Sequence, residues 1–270
     1  MKSHLKKGYR VFIDKTAAKT IRDDLTEVKS MGFDVVEHIE NPDLYFYEIN
    51  FKLIKKLLEI YNDYEVSYFV AVQDHGFEQG QPDRITRMNF LEKFLKNGLK
   101  KAFFSEKDDI PVFLSRYHSI YDQLKRNNID NFVITDTAIV AALGATYNAH
   151  PTPCVTVDIG NGHTFVCIVD KDYNVLGFFE HHTKLLTPEK FMYYISKLIS
   201  GTLTNEEIFN DNGHGARIFA NYSFENLPVL ITGPLRRTLT GESDNFKFAS
   251  PLGDMMITGP VGLFMQQELL

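Results

Sequence analysis

The residues best suited to chemistry in this chain form the stretch Val157-Asp158-Ile159-Gly160-Asn161-Gly162-His163-Thr164. Apolar runs flank it, and Asn-Gly between such runs is the strongest short signal for a β-hairpin. Backbone N–H groups in a glycine turn can surround a phosphate, while the carboxylate of Asp158 faces a metal ion. The alternative is a tight hairpin with a purely structural role, and the other segments of the chain have to decide between the two.

Composition restricts the classes of protein that the chain can belong to. Its 270 residues suffice for one large domain or two modest ones. A net charge of −6 argues against a nucleic-acid partner. The first residues lack the apolar core of a signal peptide, and no apolar run is long enough to span a bilayer. We therefore predict a cytoplasmic protein with neither nucleic acid nor membrane as a partner.

Cys154 and Cys167 are the two cysteines of the chain. A hairpin that turns at Asn161-Gly162 pairs Cys154 with Val169 and Cys167 with Thr156. The two thiols then lie diagonally, roughly 7–8 Å apart. Because this is poor geometry for a disulfide, we predict two buried thiols.

Residues 1–148 alternate strands with helices, which predicts a mostly parallel sheet covered by helices. The predicted strands are Tyr9–Ile13, Phe33–Ile39, Tyr68–Val72 and Asn131–Thr135. The predicted helices are Ala17–Met31, a helix marked by Phe51, Ile54, Leu57, Leu58 and Tyr61, then Ile85–Leu95, Arg116–Lys125 and Asp136–Ala145.

Residues 149–270 form a second predicted half, and the prolines around Asn148–Pro153 mark the boundary. The predicted strands here are Cys154–Ile159, Thr164–Val169, Val175–Thr183 and Val229–Ile231. Between the third and fourth of these strands we predict a helix with Thr187 as N-cap and Pro188 in its first turn. Gly259–Leu269 is predicted as a closing helix.

Three further segments accompany the hairpin in a fixed order, although each also fits an ordinary structural role. Ile134–Gly144 is a strand end that enters a helix of small residues. In Thr232-Gly233-Pro234-Leu235-Arg236, a bare glycine lets a flat ring approach the backbone, and Arg236 can stack on that ring. Met256–Phe264 contains two glycines that could let this helix cross the Ala138–Ala145 helix closely.

With these segments in this order, the chain resembles the actin-like ATPase superfamily of sugar kinases, actin and heat-shock chaperone ATPases. The resemblance implies an α/β fold with two ribonuclease-H-like halves and a nucleotide bound between them. Asp158–Thr164 is similar to the second phosphate loop, Thr232–Arg236 to the adenosine loop, and the two small-residue helices to the connecting helices. ATP and Mg²⁺ are the implied ligands, and whether the protein is an ATPase or a kinase stays open.

The resemblance also implies roles for individual residues. Asp158 would hold Mg²⁺ through water, and Asp136 would position the attacking water. Asp74 and His75 end a predicted strand and are further candidates for a base or a ligand. The nucleotide contacts implied are Gly160, Asn161, Gly162, His163 and Thr164 for the phosphates, and Gly233 and Arg236 for the adenine.

The chain departs from the superfamily pattern at two places. The Asp-x-Gly hairpin expected near the start is absent, so we expect an N-terminally truncated first half. Such a sheet would keep an unpaired edge, which favours a protein partner or self-association. Pro234 also stands where a second glycine is usual, and it removes one N–H donor from the loop.

A closer resemblance is to a prokaryotic family whose members are often labelled pyruvate formate-lyase activating enzyme. It is carried by Ala71–Phe77, Glu180–Thr183 and Gly213–Ala216. A radical activase of that kind holds an iron–sulfur cluster on three cysteine thiolates. Because this chain has two cysteines, that activity is not expected.

Two other functional hypotheses remain open at the level of sequence. The first is a metal-dependent hydrolase that draws its ligands from His75, His163, His181, His182, His214, Asp74, Asp158 and Glu180. Strand alternation puts Glu180 and His182 on one face and His181 on the other, so only part of this set can bind one metal. The second is a non-enzymatic scaffold that retains the fold.

Overall fold

A computed structural model describes residues 1–61, 66–147, 153–240 and 246–267. The chain forms two compact units. The first contains residues 1–68, 76–81 and 106–132, and the second contains residues 69–75, 82–105 and 133–270. These units do not coincide with the predicted halves 1–148 and 149–270. Most of the predicted boundary at Asn148–Pro153 lies outside the described residues.

Short strands and helices alternate over most of the described chain, so the predicted α/β class is confirmed. The strands are β1 (Phe12–Asp14), β2 (Asp34–Val36), β3 (Tyr68–Ala71), β4 (Phe103–Phe104), β5 (Phe132–Thr135), β6 (Cys154–Ile159), β7 (His163–Val169), β8 (Val175–His182), β9 (Gly215–Ile218), β10 (Val229–Thr232) and β11 (Phe246–Phe248). The α-helices are α1 (Lys2–Lys6), α2 (Lys15–Ala18), α3 (Leu25–Ser30), α4 (Phe51–Tyr61), α5 (Asp83–Leu95), α6 (Ser115–Arg126), α7 (Thr137–Ala145), α8 (Pro188–Ile199), α9 (Asn205–Asn210), α10 (Arg236–Thr240) and α11 (Thr258–Gln267).

The second unit is built on a six-stranded sheet in the order β11-β10-β6-β7-β8-β9. β6, β7 and β8 form an antiparallel meander, and β10 and β11 follow in parallel on the other side of β6. This is the strand order of a ribonuclease-H-like half, as predicted, with β9 added at one edge. The predicted hairpin register is confirmed, since Cys154 pairs with Val169 and Thr156 with Cys167.

Side chains along the central strands alternate between a face that packs in the core and a face that carries candidate site residues. Val155, Val157 and Ile159 of β6 join the main apolar core, which includes inward residues of α8. The capping predicted for α8 is confirmed, because the Thr187 hydroxyl accepts from the Lys190 N–H and Pro188 begins the helix. The other face of β6 carries Asp158, which therefore points away from that core.

Helices α7 and α11 cross with their backbones in contact, as predicted. A Cβ on Gly144 would lie 1.8 Å from the Thr258 carbonyl oxygen, and one on Gly262 would lie 2.0 Å from that of Val140. Both positions therefore require glycine. The last residues of the predicted helix Gly259–Leu269 lie outside the described residues.

The prediction for the N-terminal third is partly wrong. The single helix predicted at Ala17–Met31 is two short helices, α2 and α3, because the Asp24 side chain accepts from the Thr26 N–H and starts a new helix. The predicted strands Tyr9–Ile13 and Phe33–Ile39 shorten to β1 and β2, which pair in parallel as a separate sheet.

A third sheet has the order β3-β5-β4. Among the described residues, no helix is long and apolar enough to cross a membrane.

Candidate active site

The loop that joins β6 to β7 presents its tip to solvent. The Gly160 N–H donates to the His163 carbonyl oxygen at 2.9 Å and closes the turn. Asn161 and Gly162 at the tip are exposed, and a side chain on Gly162 would meet nothing within 4 Å. The tip therefore has room for a ligand to approach its backbone.

The turn after β10 packs directly against Asp158, the penultimate residue of β6. In the parallel pairing of these strands, Thr232 lies beside Asp158. Gly233 follows with φ +97°, and a Cβ there would lie 2.6 Å from Oδ1 of Asp158 and 2.4 Å from the Ile159 carbonyl oxygen. The Leu235 N–H also donates to the Ile159 carbonyl oxygen at 3.0 Å. Two of the sequence-predicted loops thus meet at the carboxyl ends of adjacent parallel strands, where α/β sheets commonly bind ligands.

A fully buried ion network lies next to Asp158. Arg87 of α5 donates to Asp136 over 2.5 and 3.0 Å and to Glu180 over 3.1 and 3.0 Å, and it also donates to the Asp74 carbonyl oxygen at 3.1 Å. The side chains of Arg87, Asp136 and Glu180 are all 0% exposed. One guanidinium therefore joins the start of α7, strand β8 and the segment after β3.

Four imidazoles gather beside this network. His75 Nε2 lies 3.3 Å from His163 Nε2, and ring centroids of His163 and His214 are 4.9 Å apart. The ring of His182 lies 5.0 Å from that of His163 and 4.7 Å from that of His214. The backbone N–H of His214 donates to the backbone carbonyl oxygen of Glu180 at 2.9 Å, which fixes His214 at the edge of the sheet.

Burial strongly lowers the pKa values of two of these imidazoles. Burial lowers the pKa of His163 to about 4 and that of His214 to about 3, in spite of the attraction of Glu180. Burial alone would raise the pKa of Glu180, but Arg87 and His214 outweigh it and lower that pKa to about 2. At neutral pH His163 and His214 are therefore neutral and Glu180 is ionised, a combination that suits a cation.

The pKa of Asp158 is raised, whereas those of His163, His214 and Glu180 are lowered. Burial, followed by repulsion from Asp136 and Glu180, raises its pKa to about 6. Because the folded-state pKa lies above the unfolded value, this group favours folding fully below about pH 4 and loses that contribution as the pH rises through 6. At neutral pH the ionised Asp158 therefore opposes folding unless a cation compensates it.

We expect Asp158→Asn to stabilise the metal-free protein at pH 7.5. Removing the charge should contribute roughly 1–2 kcal/mol, which is about 3–6 °C in Tm. Because Asp158 is largely protonated in the folded state at pH 4.5, the difference between variant and wild type should shrink there. Urea unfolding of both proteins at the two pH values measures it. An equal difference at both values would contradict the raised pKa.

The structure brings several of the predicted site residues together and gives others different surroundings. Asp74, His75, Asp136, Asp158 and His163 lie around the network described above. Thr164 is fully buried, and its hydroxyl bonds with that of Thr183 at 3.0 Å, so it does not face a ligand at the loop tip. Both carboxylate oxygens of Asp136 are occupied, since it also caps α7 through the Ala138 N–H. This burial does not fit the predicted role of positioning an attacking water.

His181 and Arg236 lie apart from the histidine cluster. As alternation predicted, His181 points to the other face of β8, where its Nε2 is 3.3 Å from an Asp211 carboxylate oxygen. Arg236 donates to the Gly233 carbonyl oxygen at 3.1 Å, and its guanidinium lies 5.6 Å from the ring centroid of Phe248. It therefore borders the turn after β10, and its contact with an adenine stays a prediction.

The sequence prediction missed Arg87 and Gln73. A signal for Arg87 was present, because Arg87 stands four residues before Leu91 on the apolar face of the predicted helix Ile85–Leu95. A charge in such a stripe indicates a buried ion pair. Gln73, whose amide nitrogen is 3.1 Å from His163 Nδ1, has no comparable signal in the sequence.

A family model described as "Putative pyruvate format-lyase activating enzyme (DUF1786)" matches residues 1–238. The chain belongs to this family. No protein among the curated ones matches the sequence.

The activity in the family's description does not fit the cysteines of this member. Cys154 and Cys167 lie on neighbouring strands, both 0% exposed. Burial raises the pKa of the Cys154 thiol to about 11 and that of Cys167 to about 12. A radical activase holds its iron–sulfur cluster on three thiolates, and the two cysteines of this chain are fewer than that set.

Three solved structures show remote similarity to this chain. The activator of 2-hydroxyisocaproyl-CoA dehydratase from Clostridium difficile, with bound ADPNP, has 13% identity and a TM-score of 0.29, over 57% of this chain and 81% of that one. The ethanolamine utilization protein EutJ from Carboxydothermus hydrogenoformans has 16% identity and a TM-score of 0.30, over 56% of this chain and 60% of that one. Component A of (R)-2-hydroxyglutaryl-CoA dehydratase from Acidaminococcus fermentans has 15% identity and a TM-score of 0.29, over 57% of this chain and 84% of that one.

Proposed function

We propose that this protein binds a magnesium–nucleoside triphosphate at the carboxyl ends of β6 and β10. One observation carries the proposal: Asp158, the exposed glycine turn that follows it and the Gly233 turn converge at adjacent parallel strands. The raised pKa of Asp158 adds support, because a divalent cation would relieve the cost of ionising this carboxyl.

Each element of the site has a separate task in this proposal. The exposed amides of Asn161 and Gly162 meet the phosphates, whereas the Gly160 N–H is already used to close the turn. Asp158 holds Mg²⁺ through water, as this ion prefers. Gly233 and Arg236 border the base. Asp136 acts as a positioning residue, because it orients Arg87 and the start of α7.

The close crossing of α7 and α11 supports the same proposal, since the resemblance to actin-like ATPases implies that these helices connect the halves. A rigid crossing would transmit a shift of the hairpin to both helices. In ATP hydrolysis or in phosphoryl transfer, the chain's contribution would be positioning and charge stabilisation.

A thermal-shift measurement tests nucleotide binding. A ligand that binds only the folded state adds about 2.7 kcal/mol of stability at 100 times its Kd, so Mg²⁺-ATP should raise the Tm of the wild type by several degrees. Asp158→Asn, whose affinity should be at least 10-fold weaker, should show about half of that rise or less. Asp172→Asn, which alters an exposed carboxylate in the turn between β7 and β8, should respond like the wild type. An unchanged response in Asp158→Asn would exclude the assigned site.

A further inference from the structure

The histidine cluster has a geometry that hydrogen bonding alone does not explain. His214 is 1% exposed, and neither of its ring nitrogens has a hydrogen-bond partner among the described residues. Its Nδ1 lies 3.9 Å from a Glu180 oxygen, which is beyond hydrogen-bond distance. A buried polar atom without a partner costs about 1–3 kcal/mol, so this arrangement is expensive unless a ligand completes it.

The separations between ring nitrogens fit a metal ion. Ligand atoms of His75, His163 and His214 all lie within 4.8 Å of one another. A zinc–nitrogen bond of about 2.0–2.1 Å in tetrahedral geometry places two ligand nitrogens about 3.3 Å apart. The Nε2 atoms of His75 and His163 are already 3.3 Å apart. The ligand nitrogen of the third imidazole already lies within 4.8 Å of both, so a bound ion requires it only to move closer.

We infer that His75, His163 and His214 form a three-imidazole site for one divalent transition-metal ion of the zinc or cobalt class. Three imidazoles leave a fourth coordination position for water or a substrate oxygen, which is the arrangement of catalytic rather than structural zinc sites. Imidazole also selects this class of cation over Mg²⁺, which prefers oxygen ligands. This site is therefore chemically distinct from the magnesium position at Asp158.

The surroundings of the three histidines suit a bound cation. The buried network of Asp136, Arg87 and Glu180 has two carboxylates and one guanidinium, and therefore a formal charge of −1. The side-chain amide of Gln73 contacts His163 Nδ1 at 3.1 Å. The two orientations of an amide occupy the same space, so Gln73 can present its oxygen to an Nδ1–H and leave Nε2 free for the metal. A Glu180 carboxylate oxygen lies 3.9 Å from His214 Nδ1 and adds negative charge beside this imidazole.

Cobalt titration of the chelator-treated full chain, without nucleotide, tests this inference. We expect one Co²⁺ per chain with the visible absorption of a tetrahedral site, and Zn²⁺ should displace it. His75→Asn and His163→Asn should each weaken Co²⁺ binding by more than about 100-fold, and Gln73→Ala by about 10-fold. Gln73 and His75 are only partly buried, so these two variants should fold even if others do not.

A histidine outside the cluster provides the control. His38 is exposed on the first unit. His38→Asn should bind Co²⁺ as the wild type does. The inference is wrong if the wild type binds no stoichiometric Co²⁺, or if folded His75→Asn and His163→Asn bind it normally. Because no nucleotide is present, failure here would leave the nucleotide proposal untouched.

Discussion

Replacing Gly262 with alanine adds one methyl group, and we expect it to destabilise the protein more than most substitutions of that size. The new Cβ would lie 2.0 Å from the Val140 carbonyl oxygen and 3.0 Å from the Gly144 nitrogen. Both are backbone atoms of α7, so no side chain can move aside and the helices must separate. Overpacking usually costs 1–3 kcal/mol, and backbone overlap belongs at the upper end or beyond. We expect a fall in Tm of about 6–12 °C.

Gly259 provides a matched control on the same helix. A Cβ there would make an ordinary contact, 3.8 Å from Cγ2 of Val140. Gly259→Ala should therefore leave the Tm unchanged or raise it slightly, because alanine favours helix by up to about 1 kcal/mol. Thermal unfolding of the two alanine variants measures the contrast. Equal melting temperatures would show that α7 and α11 do not cross as closely as described.

Replacing Arg87 with methionine should destabilise the protein by about 3–5 kcal/mol at pH 7.5. The substitution keeps much of the side-chain volume but leaves Asp136 and Glu180 buried without their counter-charge. It also removes the donor to the Asp74 carbonyl oxygen. Urea unfolding measures the loss. Arg87→Lys should recover only part of it, because one ammonium cannot bridge two carboxylates bidentately.

The effect of Arg87→Met should depend on pH. In the wild type the pKa of Glu180 is lowered to about 2, so its contribution to stability is present above the unfolded value and is lost as the pH falls through 4 towards 2. Without Arg87, burial raises that pKa, and protonation in acid relieves the penalty. The difference between variant and wild type should therefore be smaller at pH 4.5 than at pH 7.5.

Arg116 is the matched control for Arg87. It also holds a carboxylate through two hydrogen bonds, to Glu48 at 2.9 and 2.8 Å, but its side chain is 48% exposed. Solvent screens such a pair, so Arg116→Met should cost less than about 1 kcal/mol. A similar cost for both arginine variants would contradict a network isolated from water.

Local signals in the sequence predicted those parts of the site that one segment determines. Asn161-Gly162 determines the register of β6 and β7, and this register places Asp158 at the end of its strand. Small residues at Gly144 and Gly262 predicted the close helix crossing. In both cases a backbone requirement restricts the residue type, so it can be recognised without the fold.

The parts that depend on tertiary contacts could not be predicted from the sequence. The three proposed metal ligands come from the segment after β3, the hairpin and the start of β9, and no fixed spacing joins them. The burial of Asp136 follows from Arg87, which reaches it from a helix 49 residues earlier. The break between α2 and α3 was missed because the apolar spacing continued across Asp24, whose side chain starts a new helix.

Calorimetric titration of Mg²⁺-ATP into the full chain tests the central claim most directly. The account predicts one nucleotide per chain, no binding heat when Mg²⁺ is chelated, and at least a 10-fold loss of affinity in Asp158→Asn, which corresponds to about 1.4 kcal/mol. Asp172→Asn should bind as the wild type does. Absence of binding by a folded wild type, or equal affinity in Asp158→Asn, would contradict the assignment of the Asp158–Thr164 hairpin as a phosphate loop.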